Sequence, residues 1–124
     1  MAKILIVDDE ASIRNMIAMV LRPKGHTVIE ADNGVSALDL IKTQSPQLII
    51  CDVMMATMNG FMLREFLLQD QLTARIPMIL MSGLATAAGA WQSDPDIDYI
   101  EKPFKIPELL TLLDKRLRSS VEKG

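Results

Sequence analysis

Six residues, set at four positions along this chain, carry side chains that could do chemistry together. Asp8, Asp9 and Glu10 close one apolar run, and Asp52 closes another. Ser82 closes a later run, and Lys102 follows the last. Clustered carboxylates repel one another, so such a set favours a divalent cation or a proton. Ligands that are all oxygen suit Mg²⁺ (or Mn²⁺), which keeps several waters and uses few carboxylates. A cation beside Asp52 offsets the repulsion between its carboxylate and an incoming phosphoryl group. Phosphoryl transfer needs in-line positioning and charge neutralisation more than covalent activation. An aspartate can itself accept the group as an aspartyl-phosphate. Lys102 and the Ser82 hydroxyl are then candidates to hold the phosphoryl oxygens.

Each residue alone has a plainer reading. An Asp after a strand is usually a turn former, and Asp8 or Asp9 could cap a following helix. Ser82 could cap a helix too, and Lys102 could be a solvated surface lysine. Their joint placement, each at the end of a strand-like run, gives the functional reading its weight.

The elements that would position these residues alternate along the chain. Lys3 to Val7, Thr27 to Ala31, Gln47 to Cys51, Pro77 to Met81 and Ile97 to Ile100 read as short buried strands. Helical spacing runs from Ala11 to Lys24, where Pro23 and Gly25 end it. It returns from Val35 to Thr43, from Phe61 to Gln69, weakly from Leu84 to Gln92, and in a last helix that opens near Pro107. Strands that are apolar throughout want helices on both faces. Parallel strands joined by right-handed crossovers meet that need, so the expected fold class is α/β, a (βα)5 three-layer sandwich. In open α/β sheets ligands bind outside the carboxyl ends of the strands, where the four positions fall. The expected domain spans residues 1–120, with 121–124 as a frayed tail.

Composition narrows the function classes. The chain has 124 residues, 49% of them hydrophobic, with 13 Lys+Arg against 16 Asp+Glu. That length fits one domain, and that apolar content excludes disorder. No basic run suggests direct nucleic-acid binding, and no apolar stretch approaches the roughly 20 residues of a membrane span. No charged-then-apolar leader precedes the first strand, so no secretory signal is expected. Cys51 is the single cysteine, which suits a reducing compartment, and a cytoplasmic location is expected. Three Phe, one Trp and one Tyr are few for a stacked nucleobase or flavin site. Met54, Met55, Met58 and Met62 crowd the segment after Asp52; they read as core filler before a pliable docking surface. Trp91 is either a core plug or an interface anchor. His26 reads as a surface residue and Cys51 as an inert core thiol.

Taken in order, Ile6-Val7-Asp8-Asp9-Glu10, Leu48-Ile-Ile-Cys-Asp52-Val-Met-Met, Asn59-Gly60, Met81-Ser82-Gly83 and Tyr99-Ile-Glu-Lys102-Pro103-Phe104 resemble a response-regulator receiver domain of the CheY-like kind. The resemblance covers essentially the whole chain and implies the doubly wound strand order 2-1-3-4-5. It matches Asp52 to the phosphoacceptor, Asp9 to a direct Mg²⁺ ligand and Asp8 to the carboxylate that holds metal-bound water. Asp52 and the backbone carbonyl of Met54 complete the metal set. Ser82 matches the switch hydroxyl, Lys102 the lysine that pairs with the phosphoryl group, and Tyr99 the switch aromatic. The Lys102–Pro103 bond is expected to be cis. The chain departs from the pattern at Ala56, Thr57 and Asn59, where the family often has Pro, Asp and Asp; altered kinetics are expected there, not loss of function. The span from Ser82 to Lys102 is short for a chemotaxis-type receiver. That shortening bears on the surface formed by the last two helices and the last strand.

The implied function is a phosphorylation-operated switch in two-component signalling, not an enzyme acting on a separate substrate, though such a domain assists its own phosphorylation and dephosphorylation. Its expected partners are a sensor histidine kinase or histidine phosphotransfer protein, and a downstream protein target or an output domain outside this sequence. A phosphorylation-dependent dimer is a further expected mode. Two alternatives stand beside it. An Asp-nucleophile phosphatase would want a second acid two residues after Asp52, where Met54 stands. A phosphorylation-independent interaction module would have no use for the intact acidic pair, Asp52 and Lys102.

Overall fold

The computed structural model describes residues 2–55, 58–83 and 95–123, with side chains as far as Arg118. Strands β1 (Lys3–Val7), β2 (Thr27–Ala31), β3 (Leu48–Asp52), β4 (Met78–Ser82) and β5 (Ile97–Glu101) form one sheet in the order β2-β1-β3-β4-β5. Every neighbouring pair is parallel. The helices among the described residues are α1 (Ala11–Leu21), α2 (Gly34–Gln44), α3 (Gly60–Leu68) and α4 (Ile106–Lys123). The helix expected over Leu84 to Gln92, with Trp91, and the positions Ala56 and Thr57 lie outside the described residues. The last helix continues past residue 120, where the sequence reading closes the domain.

Two apolar clusters, one on each face of the sheet, account for the architecture. Successive strand side chains point to opposite faces. Ile4, Ile6, Leu48, Ile50, Ile79 and Met81 accordingly join Ile17 and Leu21 of α1 and Leu109 and Leu113 of α4. Their neighbours Leu5, Val7, Ile49, Cys51, Met78 and Leu80 join Ala37 and Ile41 of α2 and Leu63 and Leu67 of α3. β3 and β4 are buried at all their positions, which is why those runs are apolar without alternation.

The boundaries differ from the sequence reading in informative places. β3 and β4 each run one residue further, through Asp52 and Ser82, because Asp52 still pairs with Met81 and Ser82 with Glu101. Both side chains therefore project from sheet backbone, not from a loop. The first helix stops at Leu21 and tightens into a 3-10 turn over Arg22–Lys24, which Gly25 closes at φ 94°. Asn33 and Asn59 cap α2 and α3, accepting from Ser36 N–H and Met62 N–H, each at 2.8 Å. At the other end of α2, Ser45 takes the left-handed conformation (φ 49°) that glycine usually supplies.

Candidate functional site

Strand register brings the candidate residues onto one rim. Val7 pairs with Cys51, so Asp8 and Asp52, one step further, stand side by side. The N–H of Lys102 donates to the Ser82 carbonyl at 2.8 Å, which sets Lys102 just beyond the β4–β5 ladder. The Lys102–Pro103 peptide is cis.

The lysine joins the two aspartates. Lys102 Nζ lies 3.0 Å from Asp8 Oδ2 and 3.2 Å from Asp52 Oδ2. Asp8 is fully buried and the Asp52 residue is 5% exposed. Buried carboxylates at this spacing need a counter-charge and further hydrogen bonds. Asp8 Oδ1 accepts from Glu10 N–H at 2.9 Å, and Asp52 Oδ1 accepts from Met54 N–H at 3.2 Å. Burial pushes the Asp52 carboxyl above its ordinary value. Lys102 pulls it back, Asp8 raises it further, and the net direction is up. Burial alone would lower the Lys102 ammonium, but its hydrogen bond to Asp8 and the charge of Asp52 outweigh that and hold it above the ordinary lysine value.

Two of the plainer readings fail here. Neither Asp8 nor Asp9 caps α1, whose N-cap is Glu10 with no side-chain cap hydrogen bond. Lys102 is no solvated surface lysine, since its ammonium is shared by two buried carboxylates. Ser82 is buried at the same rim. Tyr99 stands half-buried on β5, its ring centroid 6.5 Å from that of Phe61, against the cluster under α3. Cys51 is buried, and burial raises its thiol pKa, so it stays protonated.

For a cation, the donor set is hard and all oxygen. Carboxylate oxygens of Asp8, Asp9 and Glu10 all lie within 4.8 Å of one another, with Asp9 and Glu10 exposed. Asp52 stands outside that group, tied to Asp8 through Lys102. The rim already gathers a positive charge between two carboxylates, and these residues fit Mg²⁺ or Mn²⁺. Met54 meets Asp52 through its N–H, and the residue is 60% exposed.

Residues 4–114 match the family described as the response regulator receiver domain. This chain belongs to that family. The receiver domain is 41% identical over 123 residues to the phosphate regulon transcriptional regulatory protein PhoB of Pseudomonas aeruginosa, covering 93% of this chain and 51% of that protein. It is 33% identical over 119 residues to the DNA-binding response regulator MtrA of Mycobacterium tuberculosis, covering 94% of this chain and 50% of that one. The receiver thus spans about half the length of the curated relatives it matches. Among solved structures it resembles a putative response regulator from Chloroflexus aurantiacus (TM-score 0.87, 32% identity, 94% of this chain and 98% of that one). It also resembles the chemotaxis response regulator CheY4 of Vibrio cholerae (TM-score 0.86, 28% identity, 94% and 98%). The sheet order 2-1-3-4-5 is the CheY-like order that the sequence motifs imply. No helix among the described residues of the receiver is long and apolar enough to cross a membrane.

Some inward-turned residues at the opposite ends of the strands carry no sequence signal of their own. Arg64 of α3 is 1% exposed, donates to the Ile76 carbonyl at 3.1 Å and pairs with Asp96 at 3.7 Å. An arginine on an amphipathic helix reads as surface, and only the fold turns it inward. His26 is half-buried, and its Nδ1 accepts from Ala2 N–H at 3.2 Å, so it is not the free surface residue its turn position suggests. The four crowding methionines divide: Met55 and Met58 pack on the core, while Met54 and Met62 face solvent.

Proposed function

We propose that this receiver domain is a phosphorylation-operated switch whose phosphoacceptor is Asp52. The observation that carries the reading is the placement of the Lys102 ammonium between Asp8 and Asp52 at the carboxyl ends of β1 and β3. An oxygen of Asp52 attacks the phosphorus of a phosphohistidine on a partner kinase or phosphotransfer protein. The P–N bond breaks, the imidazole leaves, and an aspartyl-phosphate forms. Asp8, Asp9, Asp52 and the Met54 carbonyl would hold Mg²⁺ or Mn²⁺. The metal supplies charge neutralisation for the incoming phosphoryl oxygens. Lys102, already within reach of Asp52, turns to the phosphoryl group and offsets its charge. Ser82, buried one strand over, donates its hydroxyl to another phosphoryl oxygen.

Phosphorylation adds charge and acceptor oxygens to a rim whose cation is already shared, so the ion pairs must rearrange. Movement of Ser82 frees space into which Tyr99 can shift, which biases the surface around β5 and α4 between two states. That surface is the proposed output, read by a downstream protein, a second copy of the domain or an output domain. The half-length match to transcriptional regulators supports the last of these.

The test is incubation with acetyl phosphate and Mg²⁺, read by intact mass. A single phosphate adduct on the wild type, absent with EDTA and absent from Asp52→Asn, is the expected result. No adduct on the wild type, or an undiminished adduct on Asp52→Asn, overturns it.

A further inference from the structure

Arg14 lies on α1, outside every motif that marks the site, yet it touches the backbone of the acidic pocket. Its Nη1 donates to the Asp8 carbonyl at 2.6 Å. Its Nε donates to Glu30 Oε1 of β2 at 3.3 Å, and Arg22 Nη2 holds the other Glu30 oxygen at 3.3 Å. The Arg14 side chain is only 18% exposed. Asp8 is thereby held on every side. Its N–H donates to the Ala31 carbonyl, its carbonyl accepts from Arg14, Oδ1 accepts from Glu10 N–H, and Oδ2 takes Lys102.

We propose that Arg14 is a positioning residue for the cation site, fixing the end of β1 so that the Asp8 carboxylate faces the rim. The inference rests on the reading of Asp8 and Asp9 as metal-holding residues. A planar guanidinium with donors in a fixed fork can serve a carbonyl and a carboxylate at once, and Glu30 sets its plane. Groups that orient a ligand from behind commonly change metal affinity about 10- to 100-fold when removed. The alternative role is purely electrostatic, and it has the opposite sign. A guanidinium this near a cation site repels the cation, so charge alone predicts that its loss tightens binding.

The experiment measures Mn²⁺ binding to the wild type and to Arg14→Met by the electron paramagnetic resonance of the free ion, with thermal melts in parallel. Positioning predicts binding about tenfold weaker in Arg14→Met. Equal or tighter binding overturns it, and so does a lowered melting temperature with unchanged affinity, which marks a structural role only. Arg14→Lys, which keeps the charge on a single ammonium that cannot span both partners, guards against a variant that fails to fold. It is expected to bind several-fold more weakly, and wild-type affinity in it overturns the proposal. A folded wild type that binds no Mn²⁺ instead overturns the reading of the metal site itself.

Discussion

At the scale of single residues, the site is a problem of charge in a confined space. Asp8 and Asp52 are buried carboxylates, and Lys102 is the cation that makes their burial tolerable. His26 shows the same physics away from the site. Burial lowers its pKa below 6.5, helped by nearby positive charge that includes Lys24 and opposed by Asp114. Its Nδ1 must stay unprotonated to accept from Ala2 N–H. A depressed folded pKa means that the unfolded chain takes up the proton more readily, so the contribution is complete above 6.5 and is lost as pH falls through the folded value. The melting temperature should therefore drop between pH 7 and pH 5 by more in the wild type than in His26→Gln. Parallel pH profiles of the two proteins would remove His26 from the account.

At the scale of elements, the end of β3 and the start of α3 are forced into close approach. The Gly60 N–H donates to the Val53 carbonyl at 3.1 Å. A Cβ on Gly60 would lie 2.9 Å from Leu80 Cδ2, 3.1 Å from the Asp52 carbonyl and 3.2 Å from Val53 Cα. Two of these neighbours are backbone and cannot turn aside. Gly60→Ala should cost about 2 kcal/mol and shift the strand end that carries Asp52, so phosphate uptake should slow as well. Gly83→Ala is the control, because an added Cβ there meets nothing within 4 Å among the described residues. Equal melting temperatures for the two variants would refute the steric argument.

Much at this scale was legible in the chain. β1, β3 and β4 are continuous apolar runs bounded by chemistry-bearing residues, and that pattern gives both strand and site. What escaped were relations through space. Arg64 finds Asp96 and Arg14 finds the Asp8 carbonyl only once helices have packed on the sheet. Ser45 ends α2 in a left-handed conformation with no glycine to announce it.

At the scale of the whole molecule, stability and function reside in different places. The two apolar clusters fill both faces of the sheet, whereas the acidic rim lies at its edge and draws on the stability they supply. The Asp52 carboxyl has its pKa raised in the fold, even with Lys102 beside it. A raised folded pKa stabilises the fold below the ordinary value of 3.8, and that contribution is lost as pH rises through the folded value. Once ionised, Asp52 therefore weakens the fold relative to a neutral side chain of the same shape. Asp52→Asn should melt higher than the wild type in EDTA. A cation bound by the native state alone stabilises it in proportion to its concentration over its Kd. Mg²⁺ should consequently raise the wild-type melting temperature more than that of Asp52→Asn, and narrow the gap between them. Melts of both proteins across a Mg²⁺ titration check the prediction. A variant that melts lower than the wild type in EDTA would show that the Lys102 pair outweighs the cost of burying the charge, and that the rim stabilises the fold without its metal.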